Sequence, residues 1–178
     1  MNFVIWLTGL SGSGKTTIAE WTKNSLPSFI NKSIENIIIL DGDEIRAGLN
    51  KDLGFTFEER TENVRRIAEI ANLLKNKGFI VIVSCMSPKL SDRLLAETII
   101  GKEFFMEVFC NSSFETCKMR DVKGLYKKAL NGDIRNFIGF QNMQYEPPLF
   151  KVSLPTEDFG IGYCTEILVD NIRRKFKF

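Results

Sequence analysis

The chain alternates short apolar runs with longer segments in which apolar residues recur at helical spacing. The runs carry few polar interruptions, which is typical of strands buried on both faces of a sheet. They cover residues 3–8, 37–40, 79–83 and 104–110, and a shorter run near 150–154 predicts a fifth strand. Helical patterns predict helices over 15–26, 58–76, 114–120 and 162–176.

Strands that are separated by helices predict an α/β fold, with a parallel sheet covered on both faces. Ser87-Pro88 predicts an N-cap and a first helical residue for one more helix. Residues 121–148 lose periodicity and are too long for a plain connector, so we expect a lid or binding loop there. The 178 residues are interpreted as a single domain, 1–178.

Composition excludes several kinds of chemistry. The sequence has no histidine, which excludes a Ser-His-Asp triad, a Cys-His nucleophile and an HExxH zinc site. Acid–base work must therefore use carboxylates, lysines, tyrosines or water. The four cysteines contain no CxxC pair and indicate small buried side chains in a reducing compartment.

Charge and hydropathy narrow the class of partner. The net charge of +2 is too small to indicate a nucleic-acid partner. No stretch reaches the roughly 18 apolar residues that a membrane span needs. We therefore expect a soluble cytoplasmic protein without nucleic-acid or membrane partners.

A glycine-rich turn lies between the first predicted strand and the first helix, and it fits G-x-x-x-x-G-K-[ST] at every fixed position. The match comprises Gly9, Leu10, Ser11, Gly12, Ser13, Gly14, Lys15 and Thr16. Such a loop cradles phosphates with backbone N–H groups at a helix N-terminus. Lys15 is predicted to reach the β- and γ-phosphates, Thr16 to bind Mg²⁺, and Thr17 to complete the ATP site. A correctly placed Asn-Lys-x-Asp string for guanine is missing, which favours ATP over GTP.

Carboxylates and arginines follow the second strand. Asp41 and Asp43 lie where the carboxyl ends of parallel strands line a ligand crevice. They are predicted to act as a magnesium partner and as a group that orients an attacking hydroxyl. The structural alternative is an Asp-Gly turn with a helix cap. Five polar residues follow, namely Arg46, Arg60, Asn63, Arg65 and Arg66. Arginine grips phosphate-like oxyanions bidentately, and the alternative for some of these five is a solvated helix face.

Longer strings closely resemble the adenylylsulfate (APS) kinase family over nearly the whole chain. The first run is 41–46, followed by 48–55 and by Arg60-x-x-Asn63-x-Arg65-Arg66. Ser84-x-x-Ser87-Pro88 and 120–129 match the same family. The resemblance implies a P-loop NTPase-type parallel sheet flanked by helices. It also implies transfer of the γ-phosphate of ATP to the 3′-hydroxyl of a nucleotide with a 5′-phosphosulfate.

The resemblance also implies individual roles. Asp43 would lie at the acceptor 3′-hydroxyl and Asp41 near the magnesium, while Arg46, Arg60 and Asn63 would hold the phosphosulfate. Phe55 and Phe137 would sandwich the acceptor base. Lys123 and Leu125 would belong to a lid formed by about 121–148, and the protein would be a homodimer.

Ser87 has two interpretations. In some members of the family the matching serine is described as a phosphorylated intermediate, which would make Ser87 catalytic. Because the chain has no histidine to activate it, we favour direct in-line transfer.

The sequence departs from the family pattern where the acceptor base and ribose would lie. The differences are Cys85-Met86, the lid string Phe137-Ile138-Gly139-Phe140-Gln141, and Asn142-Met143-Gln144-Tyr145. One interpretation is neutral change in a lid. The other is a changed acceptor, for which the related cytidine diphosphoramidate kinase of capsule biosynthesis is a concrete example. A nucleotide-binding regulatory module without catalysis is a third hypothesis.

Overall fold

One parallel sheet organises the chain. The structure is a computed structural model that describes residues 2–134, 136–140, 144–148 and 152–178. Five strands pair in the order β2-β3-β1-β4-β5, all parallel. They are β1 Val4–Thr8, β2 Ile37–Asp41, β3 Ile80–Ser84, β4 Phe105–Cys110 and β5 Val152–Leu154. The predicted α/β fold is confirmed, and positions 150 and 151 of the predicted fifth strand lie outside the described residues.

Helices connect the strands on both sides of the sheet. They are α1 Lys15–Ser25, α2 Gly42–Ala47, α3 Phe57–Asn76, α4 Leu90–Ile100, α5 Phe114–Arg120, α6 Leu125–Leu130 and α7 Ile161–Phe176. Short 3₁₀ turns at Leu26–Ser28 and Ile34–Asn36 lead from α1 to β2. The long helix α3 begins at a capping box, in which Thr56 and Glu59 exchange side-chain-to-backbone hydrogen bonds of 3.3 and 2.9 Å.

The central strand β1 is buried on both faces, which explains its uninterrupted apolar sequence. Ile5 and Leu7 pack into a core with α1 and α7. Val4 and Trp6 point to the opposite core, which α3 and α4 cover. The helices thus occupy both faces of the sheet, and the loops at the carboxyl ends of the strands are left to form a site.

The predicted start of the fourth helix is wrong. Helix α4 begins at Leu90, with Lys89 rather than Ser87 at the N-cap position. Ser87 has a φ of 39°, and its hydroxyl bonds to β1 instead of to the helix. The amide of Leu90 donates to the carboxylate of Glu146 at 2.6 Å, so a residue far along the chain caps this helix.

The segment 121–148 contains more order than its sequence indicates. Helix α6 forms because the carboxylate of Asp121 accepts the backbone amides of Tyr126 and Lys127, each at 3.0 Å. Gln141, Asn142 and Met143, which belong to the predicted departures from the family, lie outside the described residues.

Candidate active site

A cavity of about 540 Å³ lies at the carboxyl ends of the strands. It is lined by most of the residues that the sequence singled out. These are Ser11, Gly12, Gly14, Lys15, Thr16, Thr17, Asp41, Asp43, Arg46, Phe55, Arg60, Asn63, Ser87, Lys123, Leu125 and Phe137. Gly9, Leu10 and Ser13 belong to the phosphate loop but do not line the cavity.

The loop between β1 and α1 has the backbone geometry of an anion site. Gly12 and Gly14 have φ values of 79° and 94°, which side chains rarely adopt. A Cβ on Gly9 would lie 2.7 Å from the carbonyl oxygen of Cys110, so this position also requires glycine. Because Gly14 has no side chain to cap α1, the first amides of that helix remain available to a bound phosphate.

Lys15 lies folded over the same loop. Its Nζ donates to the carbonyl oxygens of Gly9 at 3.0 Å and Leu10 at 2.7 Å. Burial lowers the pKa of Lys15 from its ordinary value. A phosphate that entered the loop would supply the negative charge that this half-buried ammonium lacks.

Thr16 and Asp41 form an oxygen pair beside the loop. The Thr16 hydroxyl donates to Asp41 Oδ2 at 2.7 Å and lies 3.2 Å from the hydroxyl of Ser84. The other carboxylate oxygen of Asp41 accepts the amide of Asp43 at 2.9 Å and so caps α2. The predicted cap is present, but one oxygen of the same carboxylate faces Thr16. A hydroxyl and a carboxylate are the kinds of ligand that Mg²⁺ takes in phosphoryl-transfer sites.

Arg46 and Arg60 converge on one aromatic ring. Their guanidinium carbons lie 4.6 and 5.2 Å from the ring centroid of Phe55, which is 48% exposed. Arg46 donates to the carbonyl oxygens of Leu53 and Gly54. Burial lowers the pKa of Arg60 to about 10. Two closely spaced guanidinium groups make this wall of the cavity an oxyanion-binding surface.

Asn63 adds an uncharged polar group on α3. Its side chain is 4% exposed and lies against the thiol of Cys85, at 3.8 Å between Nδ2 and Sγ. Cys85 and Met86, the pair that departs from the family pattern, both line the cavity. The four cysteines are buried free thiols, and burial raises the pKa of Cys85, so this group stays protonated at neutral pH.

Ser87 is held in a buried hydrogen-bond chain. Its Oγ accepts the indole N–H of Trp6 at 3.0 Å and donates to the hydroxyl of Thr8 at 3.0 Å. A further bond to the carbonyl oxygen of Cys85 is 3.3 Å long. An indole, a hydroxyl and a carbonyl cannot remove a proton from Ser87 at neutral pH, so these contacts fix the serine and do not activate it.

The segment predicted to form a lid contacts the phosphate loop through an aromatic cluster. The cluster packs Phe137 against Tyr126 at 5.0 Å between ring centroids, and Leu10 of the loop contacts its edge. The Tyr126 hydroxyl donates to the carbonyl oxygen of Ser11 at 2.8 Å. The sequence prediction missed Tyr126 as a lining residue, although it directly follows Leu125 in the family string.

A second set of contacts holds the end of the predicted lid segment, and nothing in the sequence pattern indicates it. Arg93 on α4 and Glu107 on β4 form a buried ion pair of 2.5 Å. Arg93 also donates to the carbonyl oxygens of Ser87 at 2.8 Å and Glu146 at 2.6 Å. The Tyr145 hydroxyl lies 2.8 Å from that of Thr8. The segment that carries Tyr145 is thereby fixed to β1 and to the Ser87 loop.

Together, the parallel sheet, the phosphate loop between the central strand β1 and helix α1, and the adjoining arginine-lined cavity define a P-loop phosphotransferase. Comparison with known proteins narrows this class. The model of the family described as adenylylsulphate kinase matches residues 1–152, so the chain belongs to the adenylylsulphate kinase family.

Individual relatives agree with this assignment. The chain is 42% identical over 170 residues to the adenylyl-sulfate kinase of Vibrio vulnificus, with 95% of this chain and 80% of that protein covered. It is 45% identical over 167 residues to the bifunctional enzyme NodQ of a Rhizobium strain, which covers 94% of this chain but only 25% of that enzyme's length. Mycobacterium tuberculosis APS kinase CysC, solved in complex with AMPPNP and APS, superposes with a TM-score of 0.88 at 37% identity, covering 97% and 98% of the two chains.

No helix in the described part of the chain is both long and apolar enough to cross a bilayer.

Proposed function

We propose that the protein transfers the γ-phosphate of ATP to the 3′-hydroxyl of adenylyl sulfate. One observation carries this proposal: a single cavity is lined by the phosphate loop, by Asp43 and by the Arg46–Arg60 wall. A phosphoryl donor and an anionic acceptor can therefore meet in one cavity. The names of the relatives support this acceptor, since the Vibrio protein is an adenylyl-sulfate kinase and the Mycobacterium structure holds APS.

The donor phosphates bind, in this proposal, to the loop 9–17. The amides at the start of α1 and the ammonium of Lys15 supply positive charge to the β- and γ-phosphates. Lys15 exchanges its bonds to the Gly9 and Leu10 carbonyl oxygens for bonds to phosphate oxygens. The gain exceeds that at an exposed site because the Lys15 side chain is half-buried.

Thr16 and Asp41 would hold Mg²⁺, because their oxygens lie together beside the phosphate loop. The ion supplies charge neutralisation on the β- and γ-phosphates when it is bound. Asp41 keeps its link to the amide of Asp43 in this arrangement, so the same residue orients the start of α2.

Asp43 orients the attacking hydroxyl. Its carboxylate accepts a hydrogen bond from the acceptor 3′-hydroxyl, and that oxygen attacks the γ-phosphorus while the bond to the β-phosphate oxygen breaks. Asp43 takes the proton as the new phosphate ester forms. Lys123, which is ion-paired with Asp43, offers positive charge to the transferring group.

The acceptor occupies the other half of the cavity. Arg46, Arg60 and Asn63 hold its phosphosulfate oxygens, and the base stacks between Phe55 and Phe137, with Leu125 beside it. The hydrogen bonds of the Ser87 hydroxyl to Trp6 and Thr8 support direct transfer without a phosphoserine intermediate.

The test is an acceptor comparison with the purified full chain and Mg-ATP. Adenylyl sulfate should stimulate ADP release and yield a 3′-phosphorylated nucleotide, identified by chromatography and mass spectrometry. Lys15→Ala is the matched inactive control. Faster turnover with cytidine diphosphoramidate would overturn the acceptor assignment and support the capsule-related alternative.

A regulatory module without catalysis makes a different prediction. Folded protein would bind Mg-ATP in a calorimeter yet release no ADP with either acceptor. Two further predictions accompany the proposal: residues 121–148 act as a lid within one domain, and the protein is a cytoplasmic homodimer. Light scattering at several protein concentrations tests the dimer.

A further inference from the structure

A buried amide pair lies behind the acceptor wall. Asn50 is fully buried and does not line the cavity. Its Nδ2 donates to Oδ1 of Asn63 at 2.9 Å. Asn63 in turn does line the cavity, with its own Nδ2 directed toward Cys85. The contact with Asn50 thus determines which end of the Asn63 amide is turned to the cavity.

Only the NH₂ end of the Asn50 side chain has a hydrogen-bond partner in the described part of the structure. The Oδ1 atom of Asn50 is buried without a hydrogen-bond partner among the described residues. Such an atom lowers stability, since a buried carbonyl loses its bonds to water. An apolar side chain of similar size would avoid this loss. What Asn50 provides in return is a donor aimed at Asn63.

The direction of the hydrogen bond from Asn50 matters, because an amide side chain has a donating NH₂ group at one end and an accepting oxygen at the other. With Oδ1 of Asn63 held by Asn50, the NH₂ group of Asn63 faces the cavity, beside Arg46 and Arg60. With the amide turned over, the side-chain carbonyl oxygen of Asn63 would face the cavity and would repel an anionic acceptor. The present contact of Asn63 Nδ2 is a thiol sulfur at 3.8 Å, a weak acceptor that an anionic oxygen readily replaces.

The same loop also fixes Arg46. Asn50 is anchored by backbone bonds to Ile45 at 2.8 Å and from Leu53 at 3.1 Å. The carbonyl oxygens of Leu53 and Gly54 accept the guanidinium of Arg46. The connection between α2 and α3 therefore orients a charged and an uncharged acceptor-binding group together.

We propose that Asn50 is a positioning residue, which orients the Asn63 amide so that its NH₂ group binds the acceptor anion. This inference rests on the proposed function, in which Asn63 contacts the acceptor. Asn50 itself touches neither substrate. Its effect is expected on acceptor affinity and not on ATP affinity.

The first variant is Asn50→Leu, which removes both the donor and the partnerless oxygen. We expect the KM for adenylyl sulfate to rise about tenfold, the loss typical of one hydrogen bond to a charged group. The KM for ATP and the thermal midpoint should stay close to those of the unmodified protein. Leu49→Ala, an exposed neighbour in the same loop, is the control and should leave both KM values unchanged.

A double-variant cycle separates positioning from a structural role. If Asn50 acts through Asn63, then Asn50→Leu should add nothing to the acceptor KM once Asn63→Ala is present. Additive effects, or an equal rise in the KM for ATP, would overturn the inference. So would an unchanged acceptor KM in folded Asn50→Leu.

Asn50→Asp provides a second variant if the leucine protein does not fold. Its carboxylate accepts from Asn63 Nδ2 and turns the carbonyl oxygen toward the acceptor, so the acceptor KM should rise further than in Asn63→Ala. A wild-type acceptor KM in Asn50→Asp contradicts the inference. Failure of the proposed function looks different, because the unmodified protein would then not phosphorylate adenylyl sulfate at all.

Discussion

Asp43 and Lys123 form an ion pair across the cavity although they are 80 residues apart in the sequence. Asp43 lies on the first turn of α2, directly after β2, whereas Lys123 lies just before α6. The side chains are 65% and 49% exposed, so the pair is open to solvent and to substrate. The segment before α6 therefore places a cation beside the carboxylate that we propose as the catalytic base.

Replacing Asp43 should slow the phosphoryl-transfer step and leave ATP binding largely unchanged. We expect Asp43→Ala to lower kcat by about 10²–10⁴-fold, the range for loss of an acid–base group. The Kd for Mg-ATP, measured by calorimetry, should change little because the phosphate loop is intact. Asp43→Asn is the matched variant, since it keeps the size and loses the charge. Near-normal turnover in either variant would contradict the assignment of Asp43 as the catalytic base.

Replacing Arg46 should act chiefly on the acceptor. Arg46→Ala is expected to raise the KM for adenylyl sulfate by about 10- to 100-fold, the equivalent of about 1.5–3 kcal/mol for hydrogen bonds to a charged group. Arg46→Lys should restore little, because an ammonium cannot reproduce the planar fork that contacts Leu53, Gly54 and the Phe55 ring. Initial rates with one substrate varied at a time give both KM values. A larger effect on ATP than on the acceptor would contradict the assignment.

Removing the Ser87 hydroxyl should affect stability more than turnover. Ser87→Ala leaves the buried indole N–H of Trp6 without its acceptor, at a cost of about 1–3 kcal/mol in the free energy of unfolding. Because we propose direct transfer, kcat should stay within about tenfold, whereas loss of a nucleophile costs several orders of magnitude. Denaturant unfolding and steady-state rates measure the two quantities. A loss of activity in stable protein, together with phosphoserine in the unmodified chain, would favour the covalent route.

The buried pair of Arg93 and Glu107 should be sensitive to loss of one member. Arg93→Met is expected to destabilise the protein by about 3–5 kcal/mol, because a buried carboxylate loses its guanidinium partner. The double variant Arg93→Met, Glu107→Leu should recover much of this loss. Denaturant midpoints of the two variants provide the comparison. If the double variant is as unstable as the single one, the bonds from Arg93 to Ser87 and Glu146 outweigh the ion pair.

Most of the sheet could be predicted because its signals are local. A parallel strand covered on both faces needs a mostly apolar run, and β1, β2, β3 and β4 each have one, with Glu107 as the charged interruption of β4. The start of α3 is equally local, since Thr56 and Glu59 form its capping box within three residues. These elements required no knowledge of the rest of the chain.

The errors fall where distant contacts override local preference. Ser87-Pro88 has the sequence of a helix start, yet Trp6 and Thr8 hold the serine outside the helix. The sequence pattern did not predict helix α6, because the helix lies in a segment without periodicity and its first turn depends on the carboxylate of Asp121. Single-sequence patterns cannot report such pairings.

The site was located by motif and family strings, but its supporting contacts were not. Asp41, Asp43 and Arg46 lie in one recognisable string. Arg93 and Glu107, in contrast, lie on different elements in otherwise ordinary helix and strand sequence. The composition of a segment gives no sign that two such residues will meet.

The attachment of Tyr126 and Leu10 has a consequence for the order of events in a turnover. Tyr126 bonds to the phosphate loop at Ser11 and packs against Phe137, so we expect a shift of the loop on ATP binding to move the ring that we propose to stack the second nucleotide. Binding of ATP should therefore change the affinity for the acceptor nucleotide, so that the two substrates bind cooperatively and not independently.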